Sequence, residues 1–241
     1  MARQRISRKE LLRQPDQFLT RSARVIAWAE SNATSILYSA GAVILAVILV
    51  GGWSLWRTNR YARAEALLYE AMNAGGNGEV VQQDASQNDQ MVQALQSLVR
   101  DYGGTPVAIQ AYWNLGRLYF ARAEYVAALE AYEQARNRLS GSSESALMGA
   151  MIALNIAYAE EAQGVCEQAL GNFETVLKAP AATWLRSEAY LGMGRCHEES
   201  GDLRKAAEVY DRALTDPEVN GAVRELLEER LASVQPAGVS D

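Results

Sequence analysis

Few residues in this 241-residue chain have the reach for catalysis: one histidine, His197, and two cysteines, Cys166 and Cys196. A serine or cysteine nucleophile needs a histidine base and a third group to orient it. His197 falls in a helical packing pattern, described below, so no histidine is left for such a set. Neither cysteine has a second cysteine or histidine nearby at zinc-ligand spacing, so no metal site is expected. Gly192-Met193-Gly194 lacks the third glycine of a dinucleotide loop and lies inside a helical stretch. The adjacent glutamates Glu160-Glu161 and Glu228-Glu229 diverge on a helix and read as solvated faces. No catalytic residue, no cofactor and no enzyme activity are therefore expected. What remains is recognition chemistry. Aromatic rings and guanidinium groups, the composition of a protein-binding hot spot, are the side chains left to place.

These side chains sit on an all-α frame. Proline is scarce, at 5 residues, and alternating strand-type runs are missing. Charge is divided along the chain. Before Ile36 there are 7 basic and 3 acidic residues, and from Arg57 onward 16 basic and 26 acidic, which is +4 against −10. An acidic domain of this kind excludes nucleic-acid binding, which needs a basic face.

No charged residue occurs from Ser31 to Trp56, and Ala40 to Val50 reads AGAVILAVILV. Ile36 to Trp56 is 21 residues, enough at about 1.5 Å rise per residue to cross a hydrocarbon core of about 30 Å. Tyr38, Trp53 and Trp56 mark its two interfaces. The segment is followed by GGWSLWRTN, without a small-residue cleavage pattern, so it reads as an uncleaved anchor. The short basic tail decides orientation and places the N-terminus in the cytoplasm and the large domain outside it. Within the tail, Pro15-Asp16 signals a helix start, with Phe18, Leu19, Val25, Ile26 and Trp28 interleaved with Arg21 and Arg24. A short helix at the membrane surface is expected there.

Beyond the anchor one pattern recurs. Ala128, Ala169 and Ala206 are each followed four residues later by an aromatic, Tyr132, Phe173 and Tyr210. Gly116 and Gly194 precede their alanines by the same interval, 128 − 116 and 206 − 194. A small residue in the first helix lets the second approach, and the aromatic one turn on fills the space beside the contact. One such pair cannot bury its apolar face alone, so neighbours must stack. In the second copy Tyr158 lies six residues before Gly164 rather than four, which predicts a first helix about half a turn longer. A degenerate earlier copy is expected from Arg63–Met72 and Gln90–Tyr102, joined by a polar loop. Ala222–Val234 suits a charged capping helix. Cys166 opens the second helix of one copy and Cys196 lies in the first helix of the next. Two readings stay open for them: a disulfide, or two buried or half-buried thiols.

The pattern resembles the tetratricopeptide repeat at Leu115, Gly116, Tyr119, Tyr125, Ala128, Tyr132 and Ala135, and again at Gly194, Gly201, Ala206, Tyr210 and Ala213, with His197 in the tyrosine slot. The resemblance implies a solenoid of three to four helix pairs whose first helices line a groove. Its groove positions fall on Trp113, Asn114, Arg117 and Phe120, then Asn155 and Tyr158, then Leu191, Arg195, Glu198 and Glu199. Arg117 and Arg195 share one helix position, which suits donors for an acidic or C-terminal carboxylate ligand. The alternative is that Trp113 and Phe120 only pack against the stem helix. The whole plan, with its RKELLRQPDQFLT tail, single membrane helix and repeats, is similar to YfgM-type proteins, ancillary subunits of the bacterial SecYEG translocon. That resemblance implies an inner-membrane, single-pass protein whose periplasmic domain meets chaperones. The expected division is 1–34 basic tail, 35–56 membrane helix, 57–106 stem and degenerate repeat with its loop at 74–89, 107–218 three repeats, and 219–241 capping helix and tail.

Overall fold

A computed structural model describes residues 17–74, 85–141, 143–219 and 221–235. Among the described residues all regular structure is helical. The chain divides into two compact units, Met1–Thr58 and Asn59–Asp241. The expected helix start at Pro15-Asp16 and most of the polar loop lie outside the described residues.

The first unit holds α1 (Gln17–Ser31) and the start of α2 (Ala33–Ala74). Backbone hydrogen bonding carries through the junction, with the Asn32 amide donating to the Trp28 carbonyl at 3.0 Å and the Ile36 amide to the Asn32 carbonyl at 2.9 Å. α2 is 42 residues long. It contains a window of mean hydropathy 2.3 with none of its side chains covered by the rest of the protein, and it is long and apolar enough to cross a membrane. Trp53 and Trp56, one turn apart, pack with ring centroids at 5.1 Å.

The expected stem does not form a separate element. The last glycines of the apolar run are Gly51 and Gly52, and Arg57–Ala74 is rich in Ala, Leu, Glu and Arg with no breaker. Strong helix formers therefore continue α2 into the second unit. There Ala64, Leu68 and Ala71, at i, i+4 and i+7, are buried in one cluster with Met91, Val92, Leu95 and Leu98 of α3 (Ala85–Tyr102) and with Leu115 and Leu118 of the next helix. α3 begins at Ala85, inside the segment expected as loop. Arg60 donates to the Asp101 carbonyl at 2.6 Å and lies over the Tyr102 ring, pinning α2 to the end of α3.

Three helix pairs follow: α4 (Val107–Ala121) with α5 (Tyr125–Arg136), α6 (Ser143–Ala162) with α7 (Cys166–Leu177), and α8 (Arg186–Glu199) with α9 (Leu203–Thr215). A 3₁₀ segment, Pro180–Leu185, precedes α8, and α10 (Gly221–Val234) closes the array. Each pair turns on a residue of positive φ: Ala123, Gly164 and Gly201. These turns lie seven residues after Gly116, Ala157 and Gly194 (123 − 116, 164 − 157, 201 − 194). A Cβ added to Gly116 would overlap the Tyr132 ring, and one on Gly194 the Tyr210 ring. Ala157, fully buried, holds the same slot in the middle pair. Its Phe173 instead lies over Gly192 of the following pair, where a Cβ would also overlap the ring.

The spacing from packing slot to turn is therefore unchanged in the middle repeat. Its first helix is longer, at 20 residues against 15 and 14, because it starts earlier. Tyr158 does not hold the tyrosine slot. Glu160 does, and Tyr158 is the equivalent of Arg117 and Arg195.

The last turn is held by Asp216, which is buried. Its Oδ2 accepts from Arg186 Nε at 2.7 Å and from the Tyr190 hydroxyl at 3.0 Å, and its Oδ1 from the Glu218 amide at 3.0 Å. Arg224 of α10 donates to the Leu214 carbonyl at 2.6 Å, tying the cap to the end of α9.

Gly171, on α7, has open space where a Cβ would point. Gly171→Ala should stabilise the domain by up to about 1 kcal/mol through helix propensity. Gly194→Ala should destabilise it by roughly 1–3 kcal/mol through overlap with Tyr210. Urea unfolding of the full chain in detergent, followed by circular dichroism, checks both signs.

Candidate protein-binding face

The register aligns Gln110, Met151 and Glu188, then Asn114, Asn155 and Gly192, then Arg117, Tyr158 and Arg195. These positions recur at i, i+4 and i+7, so each trio lies on the same face of its first helix. α4 touches α6, and α6 touches α8, which places the three faces side by side. The groove positions expected from sequence thus come from neighbouring helices.

Trp113 is half-buried and packs with Phe120 in a cluster that holds Tyr132 of α5 and Ile152 and Ile156 of α6. The tryptophan and Phe120 pack toward the next repeat and are absent from the cluster built on the stem helix. Arg117 stacks over the Trp113 ring at 5.0 Å. Trp113 Nε1 is shielded from solvent without an acceptor. Phe120 also meets Tyr125 at 5.5 Å between ring centroids.

Asn114 is only 6% exposed. Its Nδ2 donates to the Gln110 carbonyl at 2.9 Å, but its Oδ1 has no partner. Asn155, in the same slot one repeat on, donates to the Met151 carbonyl at 2.7 Å. Leu191 is half-buried against the main core.

Between α6 and α8 the face is polar. Arg195 spends its fork on Glu161, with Nη2 at 2.8 Å from Oε2 and Nε at 2.5 Å from Oε1. Its guanidinium also lies 5.9 Å from the Tyr158 ring, which packs edge-on against Phe173. The expected row of free cationic donors is thereby broken: Arg195 already has its carboxylate.

Glu160 and Glu161 diverge as expected, yet neither is a solvated residue. Glu160 is buried and accepts from Asn172 Nδ2 of α7 at 2.8 Å. Glu161 reaches α8. Adjacent glutamates near the end of a first helix face the second helix and the next repeat respectively, so stacking covers both. Counting back from Gly164 to Ala157 would have exposed this in the sequence, because it places Glu160 in the tyrosine slot. Glu228 and Glu229 on the cap are exposed, as expected. His197, in the tyrosine slot of the last pair, is half-buried, and burial lowers its pKa.

Cys166 and Cys196 are joined across the boundary between the second and third pairs, with Cα atoms 5.2 Å apart. Cys196 is adjacent to Arg195, so the staple and the ion pair act on one seam.

Stacked antiparallel helix pairs with small residues under aromatic rings define a helical-repeat interaction module. The sequence model of the tetratricopeptide repeat-like domain family matches residues 27–236, and the chain belongs to that family. The match points to a protein–protein interaction scaffold. No curated protein matches the chain.

Burial raises the Glu160 carboxyl above its ordinary value of 4.5, with the Asn172 bond only partly offsetting it. A raised carboxylate favours the folded state while protonated and costs stability as pH rises through its folded value. Glu160→Gln keeps the bond from Asn172 and removes the charge. It should raise the melting temperature at pH 7, and the gain should vanish below pH 4.5. Thermal unfolding across that range is the check.

Proposed function

We propose that the chain is a membrane-anchored adaptor whose first-helix face binds segments of other proteins. In this reading α2 crosses the bacterial inner membrane, the basic tail is cytoplasmic, and the repeats lie in the periplasm. There the repeats link the secretion machinery to chaperones or envelope-assembly factors. The observation that carries the reading is the set of unanswered polar atoms on the shared face. Trp113 Nε1 and Asn114 Oδ1 are withdrawn from solvent with no partner in the chain, a condition that costs about 1–3 kcal/mol per group unless something supplies the bond. The Arg117–Trp113 stack beside them has hot-spot composition. A cross-repeat disulfide favours an oxidising compartment, and the acidic repeats beyond a basic tail agree with the proposed orientation.

A second reading has its own support. Trp113 packs against α6, so the array serves equally as a rigid accessory subunit that binds no client. Capture from native membranes separates the two. Tagged wild-type chain should retain translocon or chaperone subunits, and Trp113→Ala should lose them while keeping its helicity. Alkylation of the captured chain without reductant should leave Cys166 and Cys196 unlabelled. Retention unchanged by Trp113→Ala would favour the accessory role, and labelled cysteines would remove the periplasmic assignment.

A further inference from the structure

The seam between α6 and α8 carries a charge imbalance that the chain does not correct. Glu161 and Arg195 cancel each other. Glu188 lies on the same face of α8, seven residues before Arg195. Its Oε2 is shielded from water and has no hydrogen-bond partner. Among the described residues no ion pair involves Glu188. Glu188 stands in the first turn of α8, where the helix dipole makes a carboxylate acceptable, but the dipole supplies no counter-ion.

The charge of Glu188 reaches across to α6. The Tyr158 hydroxyl is pushed up to about 12, chiefly by burial, with Arg195 pulling down and Glu188 and Glu161 pushing further up. Glu199, one turn beyond Arg195, adds an exposed carboxylate on this face. Gly192, between Glu188 and Arg195, is buried beneath the Phe173 ring. The seam is therefore a partly sheltered strip beside Tyr158, with net negative charge from Glu188 and the exposed Glu199.

We propose that this strip binds a lysine or arginine side chain of an extended protein segment, with the Glu188 carboxylate as its counter-ion and Asn155 facing the neighbouring part of that segment. The proposal rests on the first-helix face being the binding face, and it assigns the ligand's sign. A carboxylate ligand would meet Arg195 already committed and Glu188 repelling it. A cation would neutralise Glu188 in a setting drier than bulk water, where such a pair is stronger. The excess of 26 acids over 16 bases from Arg57 onward steers the same ligand toward the domain.

The test uses the full chain in nanodiscs and a synthetic randomised dodecapeptide library at physiological salt, with retained peptides sequenced by mass spectrometry. Wild type should enrich Lys and Arg over Asp and Glu. Glu188→Gln and Glu188→Lys should each cut that enrichment at least about fivefold, with circular dichroism matching wild type. Glu188→Gln is nearly isosteric and guards against misfolding of the charge reversal. Trp113→Ala should lower total peptide retained and leave the basic bias. Acidic enrichment by wild type overturns the proposal while leaving the binding face intact. So does a basic bias that survives both Glu188 variants. Peptide retention equal in wild type and Trp113→Ala, with no bias, overturns the binding face itself.

Discussion

Helices of the repeat domain close on one another where a residue with no side chain lies under an aromatic ring. Gly116 takes Tyr132, Gly194 takes Tyr210, and Phe173 covers Gly192 of the pair that follows. The approach is close enough that one added carbon would overlap the ring. Such contacts admit only one register, since sliding a helix by one residue replaces the glycine with a larger neighbour. Once the register is fixed, so is the set of residues that share the outer face of the first helices. The proposed recognition face is thus a consequence of the packing, and Asn114, Asn155, Tyr158 and Arg195 share one face because Gly116, Ala157 and Gly194 hold the inner slots.

The seams between pairs are held differently. Between the middle and last pairs the ties are polar or covalent, Glu161 to Arg195 and the Cys166–Cys196 link, while Glu160 to Asn172 ties the two helices of the middle pair. Burying these carboxylates is costly in itself, and each is kept only because a donor on the neighbouring helix answers it. Asp216 does the same for the last pair and the cap, where Arg186 and Tyr190 converge on it. The array therefore combines apolar closure with specific polar ties, both within pairs and between them. Registration of this kind gives first helices fixed spacing, as a face that reads an extended segment requires.

The helical class, the pairs and their small-to-aromatic contacts were legible in the sequence, because each rests on local spacing that a helix converts directly into a face. Three features were not. The continuity of α2 was hidden by its change from apolar to polar composition at Arg57, although nothing in Arg57–Ala74 breaks a helix. The register of the middle repeat is masked because Tyr158 is an aromatic close to the tyrosine slot, while the slot itself holds Glu160, whose burial depends on Asn172 of the facing helix. The pairing of Arg195 with Glu161 depends on which repeats stack, and 34 residues separate the two. At the candidate site, the types Trp113, Arg117 and Arg195 were visible from sequence, but which of them is already occupied was decided only by packing. Glu188 carries no signal in the sequence because an isolated glutamate in a first turn is common; its lack of a partner is a property of the assembled seam.

The central claim is that partners meet the first-helix face. A photo-crosslinking residue placed in native membranes tests it most directly, at Gln110, Tyr158 or Glu199 on that face and at the exposed second-helix positions Glu174 and Asp211. Discrete protein adducts are expected from the first set and few or none from the second. Adducts confined to Glu174 and Asp211, or equal from both sets, would contradict it.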